Sequence, residues 1–357
     1  MAKPIAIIGA GNGGQAFAAY LSLHGHDVKI FDVVQQTVDT LNDKGGVLIE
    51  GNADVTGFGK IVMASTDIEK VMEDSEIILV VLPSLYHKDM AKKMSPYLKD
   101  GQYVVLNPNA SLGVVEFRKQ LDDCGCKADI TLACTATLLF ACRAVETGHV
   151  VAAGQKKSFT ASTYPSSKNK EASLKFADIL PQFKFCEDAI RVSLDNLNAM
   201  VHPAPTILNT GRIESGVDFE YYLDATPSQG KLVDEMDLER MAIGKAYGLD
   251  LRTIVDEYKS QYITKGDNVY EVLTNCEGYH GIKGQKSLRT RYILEDIPCS
   301  MEAFQSLGQI AGVPTPCIDA VITIARHMIP EIIEGRTVKN LGLEGMSKEQ
   351  FIELCRG

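Results

Sequence analysis

Residues 5–21, IAIIGAGNGGQAFAAYL, place Gly9, Gly11 and Gly14 in a G-x-G-x-x-G pattern directly after four apolar residues and directly before a helical run. Each glycine has a mechanical reason: a tight turn at Gly9, close approach of the backbone to a ligand at Gly11, and close helix–sheet packing at Gly14. The free amides that open the helix, at Asn12, Gly13 and Gly14, then face the pyrophosphate of a dinucleotide. Glycines alone also make merely structural turns, so the context decides. The next apolar run, DVKIFD, ends at Asp32, twenty-three residues beyond Gly9, where an acid is expected to accept hydrogen bonds from the adenosine ribose. The VVQQ that follows holds no arginine for a 2′-phosphate, which favours NAD over NADP.

Outward from this motif, short apolar runs alternate with helical patterns up to about residue 186: DVKIFDV, EIILVVLP, QYVVLNP, DITLACTA and VVAAG. Strands rich in Val and Ile with helices between them predict a mostly parallel sheet covered on both faces. Beyond residue 187 strand-like runs nearly vanish. In CIDAVITIARHMI, residues Ile318, Val321, Ile322, Ala325 and Ile329 follow helical spacing. The expected architecture is therefore an α/β Rossmann-type dinucleotide-binding domain, residues 1–187, followed by an all-α domain, residues 188–357. The stretch STYPSSKNKE reads as an exposed loop.

The 357 residues, 45% of them hydrophobic, can bury the cores of about two domains. A formal charge of −10 and a pI near 5.3 argue against nucleic-acid or anionic-membrane partners, which need a concentrated basic surface. The N-terminus lacks a signal-peptide pattern and no segment approaches eighteen uninterrupted apolar residues, so a soluble, cytoplasmic protein is expected. Nine cysteines at irregular spacing fit neither a disulfide framework nor a zinc site, and no metal is expected. Most should be buried thiols in a reducing compartment.

One histidine stands out. His202 precedes Pro203 in NLNAMVHPAPTILNTGRIE, residues 196–214. Proline pushes the preceding residue out of the helical region and suits a helix start, which predicts a break at His202 with its imidazole near the positive end of the second helix. A core histidine filling this corner is the competing reading. If the helical half supplies a proton donor, histidine has the right pKa range, and a carboxylate is needed to orient it. TRYILEDIP, residues 290–298, offers Arg291, Glu295 and Asp296, which could equally be a charged helix end.

The motifs GAGNGGQAFAAYL, NPNASLGVVEFRK, LLFACR, NAMVHPAPTILNTGRIESG, FEYYLD, RYILEDIP and EGRTVKNLGLEGM together resemble the opine dehydrogenase family over nearly the whole chain, in particular its N-(1-carboxyethyl)-norvaline type. The resemblance implies that a 2-oxo acid, such as pyruvate, and the amino group of a neutral amino acid form an imine, which NAD(P)H reduces. It implies a dyad of His202 and Asp296, with Arg291 clamping a substrate carboxylate through its planar fork. Thr137 and Arg118 are candidate substrate contacts, or else a strand hydroxyl and a surface charge. Where many members carry glutamate in an A-E-T sequence, this chain reads ACTATLLFACR with Cys134, which fits a neutral amino donor.

His87, in LPSLYHKDM, is the rival histidine, placed after a strand whose end should face the nicotinamide; a helix-start histidine open to water is the other reading. His24, His26, His149, His280 and His327 lack such a setting. Two other functions compete: a 2-oxo acid or ketopantoate-type reductase that needs no amine, and a non-catalytic NAD-sensing protein. The subunit count stays open, with a homodimer as the expected assembly.

Overall fold

The computed structural model describes residues 3–357, which fold as two compact units. The first runs to Val192 and regains Leu354–Gly357; the second is Ser193–Glu353. The division at 187/188 expected from the sequence thus falls five residues early and misses the returning C-terminus. Asp188 explains both differences. Its carboxylate caps the amides of Ile190 and Arg191 at 3.0 Å each and accepts from Arg356 Nε at 2.7 Å, which ties the last turn of the chain to the first unit.

Among the described residues, twelve strands form two sheets in the first unit. They are β1 Ile5–Ile8, β2 Val28–Phe31, β3 Gly46–Gly51, β4 Gly57–Lys60, β5 Met63–Ser65, β6 Ile77–Val80, β7 Tyr103–Leu106, β8 Thr131–Thr135, β9 Phe140–Glu146, β10 His149–Gln155, β11 Phe159–Tyr164 and β12 Phe183–Phe185. The larger sheet has the order β12-β11-β8-β7-β6-β1-β2-β5, parallel except where β11 runs against β8. Its central strands are buried at every position, the pattern of a sheet covered on both faces. From β1 the chain moves to β2 on one side and later returns to β6 on the other. The crevice at the carboxyl ends of β1 and β6 is therefore the topological switch point, where such sheets bind ligands.

A second sheet, ordered β4-β3-β10-β9, departs from the expected single sheet, and VVAAG belongs to it as part of β10. This sheet packs against helix Asn12–Leu23. A Cβ on Gly59 would come within 2.6 Å of the Ala19 backbone, and Phe140 lies edge-on to Phe17 and Tyr20 at 5.4 and 5.5 Å. Covered in this way, the helix is buried at every residue from Gly13 to Leu21 rather than along one face. STYPSSKNKE is likewise no loop: Ser162–Tyr164 end β11, and Asn169 opens helix Asn169–Phe176.

The second unit is helical, with one isolated bridge between Glu220 and Lys283. Its longest helix, Pro227–Ala246, starts at a capping box formed by Thr226 and Gln229 with Pro227 at the first position. Arg240 on this helix is fully buried and bonded to Asp237 Oδ1 at 2.7 Å and to the carbonyls of Leu194 and Arg252 at 3.0 and 2.6 Å. Helix Pro316–Met328 buries Ile318, Val321, Ile322 and Ala325, as their spacing predicts. Among the described residues no helix is long and apolar enough to cross a membrane.

Candidate active site

The glycine loop is shaped by its neighbours. Gly9 has φ +111, and a Cβ there would lie 2.5 Å from Leu82 Cδ2 and 2.6 Å from the Val81 carbonyl. At Gly14 a Cβ would meet the Gly9 carbonyl at 1.8 Å, so the helix could not approach the turn with any larger residue. A Cβ on Gly11, by contrast, would enter open space, leaving that backbone free for close approach by a ligand. No side chain caps helix Asn12–Leu23, and its first turn holds no acid. Its opening amides thus offer an anion site with no internal competitor.

Asp32 closes this cradle. One carboxylate oxygen accepts from the Ala10 amide at 2.8 Å and the other from Val34 N at 2.9 Å, so Asp32 fixes the glycine turn to the end of β2. A carboxylate has about four acceptor positions, which leaves capacity for ribose hydroxyls. The Asn12 side chain accepts from Ala144 N at 2.9 Å, and a Cβ on Gly13 would be 3.0 Å from Leu138. The residues present therefore fit a nicotinamide dinucleotide: uncapped amides for its pyrophosphate, an open glycine beside them, and an acid at the end of β2.

In the second unit, His202 joins helices Asn198–Val201 and Pro203–Leu208. It stays in the right-handed helical region, φ −103 and ψ −61, instead of the extended conformation expected before proline. Its amide still donates to Asn198 O at 3.0 Å, and its carbonyl accepts from Thr206 N at 3.1 Å. Pro203 deletes its own donor and nothing more, so the helical path continues through the junction.

His202 is held on every side. Its Nδ1 lies 2.8 Å from Asp296 Oδ2 and its Nε2 3.0 Å from the Tyr222 hydroxyl, while the Tyr292 ring stacks on the imidazole at 3.8 Å and 7°. Tyr221 adds a backbone brace by donating its hydroxyl to the His202 carbonyl at 2.6 Å. Because a carboxylate only accepts, the neutral ring carries its proton on Nδ1, and Tyr222 donates to Nε2. Asp296 itself precedes a π turn, Ile297–Met301. Arg336 braces that turn through Pro298 O at 2.8 Å and Cys299 O at 3.1 Å.

Burial pushes the His202 imidazole below its ordinary value. The adjacent Asp296 carboxylate pulls it back up, Arg291 pushes down and Glu295 up.

The remaining candidates divide. Arg291 is well exposed, 4.0 Å from Glu295 and over the Tyr292 ring at 5.6 Å, so its fork is open to a ligand. Thr137 is half-buried just past the carboxyl end of β8, and its backbone carbonyl accepts from Thr135 Oγ1 at 3.2 Å. Arg118 pairs with Asp122 at 2.5 Å along its own helix, which gives it a structural partner. Cys134 is fully buried in β8 opposite Ser162, and burial pushes its thiol well up. Its side chain has no exposed surface. Among the other cysteines Cys276, Cys299 and Cys355 are buried, Cys124 is exposed and four are half-buried. His87 is completely buried, with Nε2 3.3 Å from the Leu82 carbonyl, which excludes the water-exposed reading. Among the described residues no cluster of metal-ligating side chains occurs.

Residues 185–329 match the family model described as NAD/NADP octopine/nopaline dehydrogenase, alpha-helical domain, and residues 4–120 match NAD-dependent glycerol-3-phosphate dehydrogenase N-terminus. An opine dehydrogenase of Arthrobacter sp. strain 1C is 37% identical over 348 residues, 97% of this chain and 96% of that protein. The chain belongs to the opine dehydrogenase family. It is an oxidoreductase acting on CH–NH donors with a nicotinamide dinucleotide.

A vitopine synthase of Allorhizobium ampelinum is more distant, 23% identical across 82% of this chain and 81% of that one. In fold, this opine dehydrogenase is similar to an octopine dehydrogenase solved with NADH and L-arginine, with a TM-score of 0.81, 19% identity and 98% of each chain covered. The reading of residues in isolation missed Tyr221, Tyr222 and Tyr292 at the histidine. The paired tyrosines of FEYYLD and the tyrosine of RYILEDIP were the available signal, but tyrosines alone do not say which partner they meet.

Proposed function

We propose that this opine dehydrogenase joins pyruvate to the amino group of a neutral L-amino acid and reduces the resulting imine with NADH, and that it also runs the reverse oxidation. The observation that carries the reading is the buried bond of His202 to Asp296, a positioned acid–base group whose pKa is set by burial against an adjacent carboxylate. Bound NADH supplies the hydride. The pyrophosphate is assigned to the backbone of Gly9, Gly11, Asn12, Gly13 and Gly14, and the adenosine ribose to Asp32. The negative charge of Asp32 and the apolar, exposed Val33 and Val34 beside it favour NAD over NADP.

In condensation, protonated His202 polarises the oxo group and helps water leave; in oxidation, the neutral ring receives the amine proton, with Asp296 holding the imidazolium. Arg291 is assigned to a substrate carboxylate, with Thr137 as a second contact. Arg118 is the weakest assignment, because Asp122 already engages it. The preference for a neutral amino donor rests on the surroundings of His202. Tyr222 bonded to it, and Tyr279 and Tyr258 packed behind that ring, are buried phenols and add no carboxylate to pair with a cationic side chain. Nine free thiols suit the cytoplasm, and a homodimer is the proposed assembly.

NADH oxidation with pyruvate against a panel of neutral, acidic and basic amino acids tests the reading. Turnover should require both substrates. Equal turnover with pyruvate alone would instead favour a 2-oxo acid reductase that needs no amine.

A further inference from the structure

His202 has only two proton-carrying atoms, and both are taken. Nδ1 faces the Asp296 carboxylate at 2.8 Å and Nε2 faces the Tyr222 hydroxyl at 3.0 Å. If His202 exchanges protons with a substrate, the exchange must run through Nε2, because a carboxylate holds the other nitrogen. Tyr222 then either swings away or carries the proton itself.

The packing argues against swinging. The Tyr222 ring stacks on Tyr279 at 4.0 Å and 20° and meets Tyr221 edge-on at 4.8 Å and 89°. Tyr279 in turn donates its hydroxyl to Tyr258 at 2.9 Å, and Tyr222, Tyr258 and Tyr279 are all buried. Moving the ring would dismantle a stacked and hydrogen-bonded aromatic cluster. A hydroxyl, meanwhile, donates and accepts through one atom, which is what a relay requires.

We infer that the Tyr222 hydroxyl is the group that hands the proton between substrate and His202, with Asp296 acting behind the ring. This rests on the proposed acid–base role of His202. In amine oxidation, the substrate N–H bond breaks as its proton bonds to Tyr222 Oη, and the Tyr222 O–H bond breaks as that proton bonds to His202 Nε2. The result is imidazolium beside the Asp296 carboxylate and an unchanged phenol, and reduction of the imine runs the same proton transfers backwards. The two transfers are concerted, since burial raises the phenol well above its ordinary value and disfavours a free phenolate.

Tyr222→Phe keeps the ring and removes the hydroxyl. Turnover should fall at least about 100-fold in both directions, as for loss of a general acid–base group, with KM values little changed. NADH affinity should stay at the wild-type value. In the free protein, the 15N resonance of His202 Nε2 should move, reporting the lost bond. Turnover within threefold of wild type would mean that the hydroxyl is not in the path and would overturn the relay. His202→Ala, assayed in parallel, separates the two readings: if it stays active, the acid–base assignment fails, whereas an inactive His202→Ala beside an active Tyr222→Phe removes the relay alone. Should Tyr222→Phe not fold, difluorotyrosine at 222 keeps the hydroxyl and the packing but makes the phenol more acidic. The relay then requires a changed turnover and solvent deuterium isotope effect, and wild-type values for both would overturn it.

Discussion

The carboxylate of Asp296 meets the imidazole of His202 at 2.8 Å across ninety-four positions of sequence, both side chains buried. A buried hydrogen-bonded pair of this kind is costly to halve, because removing either partner leaves a polar group unpaired. We expect His202→Ala to lower turnover by about 10²–10⁴-fold with NADH affinity unchanged. Asp296→Asn should impair turnover through loss of ring orientation, and the double variant should lose less than the product of the single losses. Steady-state kinetics of the three variants checks this. Near-normal turnover of His202→Ala with only a lower Tm would make the histidine a core filler.

Protonation gives a second test. Burial holds the folded His202 below the ordinary 6.5, so as pH falls through 6.5 the unfolded chain takes its proton first. The stability that neutral His202 contributes is fully present above pH 6.5 and is lost as pH drops toward the folded value. Denaturation at a series of pH values should show this slope in wild type and its loss in His202→Gln. Asp296→Asn removes the group that pulls the pKa up, so the imidazole should titrate at still lower pH by NMR. A rise would contradict the assignment.

The glycine loop separates folding from binding. Gly14→Ala places a Cβ 1.8 Å from the Gly9 carbonyl and should lower Tm sharply, whereas Gly11→Ala enters open space and should keep Tm while weakening NADH. Calorimetric melting and fluorescence titration read the two effects. Equal loss of Tm in both would show that Gly11 also serves packing.

Asp32 combines both roles. Asp32→Ala should weaken NADH and relax discrimination against NADPH, and it should also lower stability by about 1–3 kcal/mol, because the Ala10 amide loses its acceptor. Wild-type enzyme preferring NADPH would overturn the cofactor assignment.

Neutral donors such as norvaline, methionine or phenylalanine should show higher kcat/KM than arginine or lysine. Cys134→Glu should not convert the enzyme to basic donors. It buries an unpaired carboxylate in β8, and the expected outcome is a destabilised or insoluble chain. A well-folded Cys134→Glu with new arginine activity would restore Cys134 as a specificity residue.

Much of this was legible without coordinates. The spacing of Gly9, Gly11, Gly14 and Asp32 and the apolar runs from β1 to β8 predicted the dinucleotide-binding sheet, because turn geometry and strand burial act on neighbours in the chain. The helical period of Ile318, Val321, Ile322 and Ala325 did the same for the second unit. His202 and Asp296 could be paired only through motifs that resemble a family, since no local rule joins residues ninety-four apart. The rest was decided by packing at long range. The second sheet comes from pairings such as Leu48 with His149, whose alternation is blurred by glycines. The burial of Cys134 and His87 depends on layers laid over them, and the enclosure of His202 by Tyr222 and Tyr292 depends on where three separate segments meet. Sequence fixes which side chains can donate, accept or stack; only the folded chain brings a given donor within 3.0 Å of a given acceptor.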